Sequence, residues 1–288
     1  MTDDSSRLAV LIDADNTSAK VVTEMFEELA SYGTLTVKRA YGDWSDDHLK
    51  AWREVSLANA ISTQHQFAFT TGKNATDSAL IIDAMDLLYS GNVDGFAIVS
   101  SDSDFTPLAT RLREAGKRVI GVGGRKTPKA FVEACERFLY VEVLAAGGDS
   151  TSSAGPVGPL TTDSAAKETQ PRPLQSVLTK ALNKVKTDDD NWVALGPLGD
   201  HLNRTDPSFD ARAYGFPKLG DLVKAQAFLE TKAVTRSGGG GQLLVRLKGR
   251  RAASSAPQQT AQQTAQQTGQ QTVKKPAKKA AKKVTKKA

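Results

Sequence analysis

Phe96-Ala97-Ile98-Val99-Ser100-Ser101-Asp102-Ser103-Asp104-Phe105 is the stretch on which the reading of this chain turns. Its apolar opening, Phe96 to Val99, has the length of one buried strand. Its end places two carboxylates, Asp102 and Asp104, just past that strand. A second stretch has the same design: Leu8 to Ile12 is apolar, and Asp13-Ala14-Asp15-Asn16 follows. In an open α/β sheet, ligands bind beyond the carboxyl ends of the strands. If the two strands are neighbours, their acids converge. Acids that close repel, and a cation relieves the repulsion. Oxygen donors alone favour Mg²⁺ or Mn²⁺.

Working outward, residues 7–145 alternate strand and helix patterns. Strands are expected at Leu8–Ile12, Leu35–Tyr41, Phe67–Phe69, Phe96–Ser100, Arg118–Val122 and Phe138–Leu144. Between them lie helical periods over Ser18–Ser31, Asp46–Ile61, Asp77–Tyr89, Phe105–Ala115 and Pro128–Ala134. Repeated βα units predict a mostly parallel sheet with helices on both faces. Residues 146–170, rich in Gly, Ser, Thr, Ala and Pro, read as a flexible linker. Residues 171–248 form a smaller unit: helices are expected over Leu174–Val185, from Trp192 through Leu202, and over Leu219–Phe228, with a strand at Gln242–Leu247. Three helices and a hairpin describe a winged helix, with Gly238–Gly241 at its tip. Residues 249–288 hold four Gln-Gln-Thr repeats and a lysine-rich end. Neither can bury a core, so this tail is expected to be disordered.

Charge is divided along the chain. Residues 1–149 carry 15 Lys/Arg against 22 Asp/Glu, a net −7; residues 150–248 carry +3 and residues 249–288 carry +10. A lysine block joined to an acidic domain reads as a handle for a polyanion, most simply nucleic acid. Cys135 is the single cysteine, which excludes an internal disulfide and fits a reducing compartment. His48, His65 and His201 have no zinc-ligand spacing. No signal peptide and no membrane-length apolar run is read, so a cytoplasmic location with no membrane partner is expected. The oligomeric state is not legible in the sequence.

Each acid also has an ordinary explanation, since Asp is a preferred helix cap and Asp104 and Asp77 both stand at expected helix starts. Capping alone does not require acid pairs at two strand ends. Asp83 lies six residues beyond Asp77, about 240° around the helix, and so belongs to another face; it reads as a packing or solvated acid. Gly72-Lys73-Asn74 lacks the remainder of a P-loop. Gly121-Val122-Gly123-Gly124 follows the fifth strand rather than the first, so it is no dinucleotide fingerprint.

Asp13-x-x-Asn16 after the first strand, Lys73-x-x-x-Asp77 opening a helix, and Ser101-Asp102-Ser103-Asp104-Phe105 after the fourth strand resemble an NYN domain, a PIN-like nuclease family with bacterial LabA/DUF88 members. The resemblance implies a PIN-like sheet over residues 1–145 and metal-dependent cleavage of RNA. It makes Asp13, Asp77, Asp102 and Asp104 the acidic cluster that holds Mg²⁺ or Mn²⁺, with Asn16 as its polar partner. Trp192-Val193, Leu198-Gly199, Phe209-Asp210, Tyr214-Gly215-Phe216 and Lys218-Leu219 resemble an OST-HTH, or LOTUS, domain over residues 171–248, associated with RNA or protein partners. Lys73, Arg125, Lys126 and Tyr214, with Lys274, Lys275, Lys278 and Lys279 of the tail, are the expected contacts to nucleic acid. The whole reads as a metal-dependent ribonuclease. A non-catalytic RNA-binding adaptor and a nuclease acting on DNA are the alternatives. A pure binder gains nothing from four acids that repel phosphate.

Overall fold

The computed structural model describes residues 6–45, 47–65, 75–147, 173–185, 191–235 and 241–249. Six parallel strands form its main sheet: β1 Arg7–Asp13, β2 Thr34–Gly42, β3 Ser62–His65, β4 Gly95–Val99, β5 Arg118–Gly123 and β6 Arg137–Tyr140. They lie in the order β3-β2-β1-β4-β5-β6. The order reverses direction at β1, so the crevice between β1 and β4 is the topological switch point, where such sheets bind ligands.

Alternation along the strands explains the two layers that cover the sheet. Leu8, Val10 and Ile12 of β1 face one core with α1 (Val22–Ala30), α2 (Lys50–Ala58) and α6 (Val141–Gly147). Ala9 and Leu11 face the other, with α3 (Ala75–Ser90), α4 (Thr106–Glu114) and α5 (Lys129–Ala134). Burial on both faces is why β1 and β4 read as continuous apolar runs. Close packing also fixes a glycine. A Cβ at Gly121 would stand 2.4 Å from a Phe138 ring carbon and 2.7 Å from the Cys135 sulfur. The glycine-rich turn thus serves strand packing.

Three elements of the larger domain differ from the sequence reading. The third strand is Ser62–His65, a largely exposed edge strand, where Phe67–Phe69 was expected; those three residues lie outside the described ones. The last apolar run divides: β6 ends at Tyr140 and α6 begins at Val141. Residues 146 and 147 close α6, and the remainder of the expected linker, like the tail, lies outside the described residues. Among the described residues no helix is long and apolar enough to cross a membrane.

The smaller unit holds α7 Leu174–Lys184, β7 Val193–Ala194, α8 Leu195–Thr205, a 3-10 turn Ala211–Tyr214, α9 Leu219–Lys224, β8 Leu229–Thr235 and β9 Gly241–Leu247. The strands form an antiparallel sheet in the order β7-β9-β8. Leu178, Leu182, Leu198, Leu202, Leu222 and Val245 make its core. Val193–Ala194 is a short strand ahead of α8, where the sequence suggested helix, and the third helix stops at Lys224 to give way to β8. This unit touches the larger one. The Phe138 N–H, on the sheet-edge strand β6, donates to the Pro207 carbonyl at 2.9 Å. Arg137 donates to Asn203. Arg212 bridges Glu28 of α1 and Asp210, each at 2.8 Å. An exposed edge that would otherwise offer free backbone groups is thereby covered.

One polar network fastens α3 to the sheet. Asp83 accepts from the Arg39 guanidinium and from the Tyr41 hydroxyl, both on β2. Tyr41 is 1% exposed, and burial together with the adjacent carboxylate holds its phenol firmly protonated. Asp83→Ala leaves a cation and a buried hydroxyl without their acceptor. The expected cost is about 1–3 kcal/mol in a denaturant melt, with a smaller loss for Asp83→Asn. A melt unchanged by Asp83→Ala would show that α3 is held by its apolar face alone.

Candidate active site

Asp13 ends β1 and stands in register with Tyr41 of β2. The residue is 1% exposed, and its carboxylate accepts three hydrogen bonds. The Ser100 hydroxyl donates to Oδ2 at 2.7 Å, and Asn16 donates through Nδ2 at 2.9 Å and through its backbone N–H at 3.2 Å. Burial raises the Asp13 carboxyl above the usual range, and the hydrogen bonds from Ser100 and Asn16 act against that rise. Ser100 also accepts from the Asp102 N–H at 3.1 Å. One hydroxyl therefore couples the end of β1 to the loop that follows β4.

Asp102 caps the 3-10 turn Ser103–Phe105, accepting from the Asp104 N–H at 2.9 Å. Of the acids for which the sequence reading allowed a capping role, Asp102 is the one that caps this turn. Asp102 is half-buried and Asp104 is exposed on the turn. Asp77 stands in the first turn of α3. Its carboxyl is pushed up to about 6, first by burial, then by the charges of Asp13, Asp102, Asp104 and Asp15. The four predicted acids therefore lie at one edge of the sheet, and the charges of the other three add to the rise at Asp77. As the side chains stand, no group of three His, Cys, Asp or Glu among the described residues is close enough to hold a metal. The donor set still fits a hard divalent cation in kind, being all oxygen and carrying surplus negative charge.

The raised carboxyl of Asp77 has a consequence for stability. A folded-state value of about 6 against an ordinary 3.8 favours the protonated form. Its stabilising contribution is complete below pH 4 and is lost as pH rises through 6. Each pKa step is worth about 1.4 kcal/mol, and solvent screening of this half-exposed group reduces the total to roughly 1 kcal/mol. In EDTA, Asp77→Asn is therefore expected to gain about 1 kcal/mol over the unsubstituted chain at pH 7.5 and nothing at pH 4. Thermal melts across that range check it. A difference that does not change with pH would contradict the crowding.

Asp15 turns to other partners. Its Oδ1 lies 3.5 Å from His48 Nε2 and accepts from the Asp43 N–H at 3.4 Å. Sequence spacing gave no sign of this pair, because the residues meet only through the β1–β2 pairing. Ser100 and the Arg39–Tyr41–Asp83 network were likewise missed. The adjacency of Ser100 to Asp102 was the one local signal available. At the neighbouring edge, the Gly124 N–H donates to the Ser101 hydroxyl at 2.9 Å, which ties the β5 turn to the acidic loop. Arg125 follows, its guanidinium 5.7 Å from the centre of the Tyr140 ring, and Lys126 is exposed beside it. Tyr214 lies in the smaller unit, partly buried, with its ring 6.0 Å from that of Phe209. Lys73, Lys274, Lys275, Lys278 and Lys279 lie outside the described residues.

An uncharacterized protein of Methanocaldococcus jannaschii is 29% identical over 121 residues, which are 41% of this chain and 47% of that protein. The chain thus spans about half the length of this relative. A crystal structure of a Vibrio parahaemolyticus protein of unknown function aligns with 49% of this chain and 95% of its own at 18% identity, with a TM-score of 0.40. A solution structure of an uncharacterized Nitrosomonas europaea protein aligns with 34% of this chain and 92% of its own at 33% identity, with a TM-score of 0.24. The family model of the NYN domain matches residues 7–142, and that of the OST-HTH/LOTUS domain matches residues 169–241. This chain carries an NYN domain followed by an OST-HTH/LOTUS domain.

Proposed function

We propose that this protein is a metal-dependent ribonuclease whose acidic edge cleaves RNA phosphodiester bonds. The domain pair supports a nuclease with RNA binding. The observation that carries the finer reading is Asp77, whose carboxyl is driven up to about 6 by burial first and then by the charges of Asp13, Asp102, Asp104 and Asp15. Such crowding destabilises the chain alone and becomes useful when a cation is held.

Asp13, Asp77, Asp102 and Asp104 would hold Mg²⁺ or Mn²⁺. When bound, the ion supplies positive charge and Lewis acidity at the scissile phosphate. Asp13 provides a fixed point, since Ser100 and Asn16 lock its carboxylate in one orientation. Asp102 and Asp104 offer adjustable donors on a short turn. Asn16 acts on Asp13 and is a positioning residue. Arg125 and Lys126, at the end of β5, supply cations for the backbone of the strand being cut. The basic tail raises the local concentration of RNA around a domain of net −7 that would otherwise repel it.

The test is to incubate the purified chain with single-stranded RNA, structured RNA and DNA, each with Mn²⁺, Mg²⁺ or EDTA. RNA cleavage that requires the metal is expected. Cleavage of DNA alone would move the substrate, and binding of RNA without cleavage in any metal would favour the adaptor.

A further inference from the structure

A cavity of about 340 Å³ opens between α7 and α8, a volume at the small end of ligand pockets. It suits one small planar ligand and is too small for a peptide helix. Val177 and Ala181 of α7 give it an apolar surface, and Ser176 brings a hydroxyl. Lys180 and Lys184, also lining it, stand one helical turn apart on the same face of α7. Neighbouring cations at this spacing repel, and among the described residues neither lysine is paired with an acid. His201 contributes an imidazole from α8. The cavity's one acid, Asp206, accepts at Oδ1 from the Ser208 N–H at 3.2 Å and hydroxyl at 2.8 Å.

Two lysines with no acid partner among the described residues, beside an apolar surface, fit a ligand that is anionic at one end and flat and apolar at the other. We propose that the α7–α8 groove binds one nucleotide unit, with its phosphate on Lys180 and Lys184 and its base against Val177 and Ala181. A base offers a face to any apolar surface, and a phosphate needs only charge, so the site reads no particular sequence. The groove is also anchored to the nuclease domain. Asn203, on the same helix as His201, accepts from Arg137 of β6, and the Pro207 carbonyl accepts from Phe138. A strand gripped here is therefore held on the sheet that carries the acids. The RNA arm of the proposal rests on the ribonuclease reading, whereas the nucleotide arm does not.

The experiment uses the full chain in EDTA, with ¹³C-methyl labels on Ala and Val. Uridine monophosphate and a single-stranded RNA decamer are titrated separately, and the Val177 and Ala181 signals are followed. Both ligands should move them. In Lys180→Glu/Lys184→Glu, uridine monophosphate affinity should fall at least tenfold, and the salt slope of RNA binding should shrink by roughly 0.7, the share of one phosphate on a single strand. Lys224→Glu/Lys232→Glu changes the same charge elsewhere on the domain and should leave nucleotide affinity unchanged. A melt of each variant confirms folding. Movement by the monophosphate alone would keep the site and make a free nucleotide its ligand. The proposal is overturned if neither ligand moves the two signals, or if both double variants weaken nucleotide binding alike. It is also overturned if polyglutamate moves the signals as strongly as RNA does. None of these outcomes depends on cleavage, so the ribonuclease reading stands or falls separately.

Discussion

Asp102→Asn should lower metal-dependent RNA cleavage at least a hundredfold while leaving the fold intact. The loss follows from removing one anionic oxygen from the acidic edge, where preorganised charge commonly carries effects of about 10²–10³ in rate. The fold should survive because Asp102 has a second duty that Asn can perform. It caps the Ser103–Phe105 turn by accepting from the Asp104 N–H, and Asn is as good a cap as Asp. Its backbone N–H to Ser100 is untouched by the change. Asp102→Ala separates the two duties, since it loses the cap as well and should cost roughly 1 kcal/mol of stability. Cleavage rates in Mn²⁺ and a melt in EDTA, measured on both variants, check the assignment. An Asp102→Asn protein that cuts RNA at the full rate would remove Asp102 from the chemistry.

Deleting residues 256–288 should weaken RNA binding by a hundredfold or more at moderate salt and flatten its salt dependence. The segment carries eight lysines between Lys274 and Lys287, in pairs every four residues. On a helix that spacing would align like charges, and Pro276 further opposes a helix. A segment of this charge density meets phosphates as a diffuse cation. With each engaged phosphate contributing roughly 0.7 to the slope on a single strand, loss of all eight contacts would reduce it by about 5–6. Turnover at saturating RNA should change little, because no acid of the cleaving edge is removed. Binding isotherms at several salt concentrations check this, and an unchanged slope would assign the tail to another partner.

The acidic edge was legible because two of its parts are local. Apolar runs that end in Asp13 and in Asp102 mark the strand ends directly, and the sheet order brings β1 and β4 together at the switch point. Asp77 was legible as a helix start. What sets these acids in place was not. Tyr41 and Asp83 are 42 residues apart, Asp15 meets His48 only through strand pairing, and no periodicity reports such contacts. The edge strand Ser62–His65 was missed because it has no apolar side to bury. Strand β8 carries charged residues among its apolar ones and follows a helical pattern without a break. The contact of Pro207 with β6 could not be read either, since a backbone hydrogen bond between distant segments leaves no mark on composition.

The account rests on Asp13, Asp77, Asp102 and Asp104 acting as one cation site. Crystals grown in Mn²⁺ and examined for anomalous scattering test this most directly. The account predicts a peak at the C-terminal edge of β1 and β4, with carboxylate oxygens of Asp77 and of the Asp102–Asp104 turn drawn toward it. A peak elsewhere on the chain, or none at millimolar Mn²⁺ with all four carboxylates ordered, would contradict it.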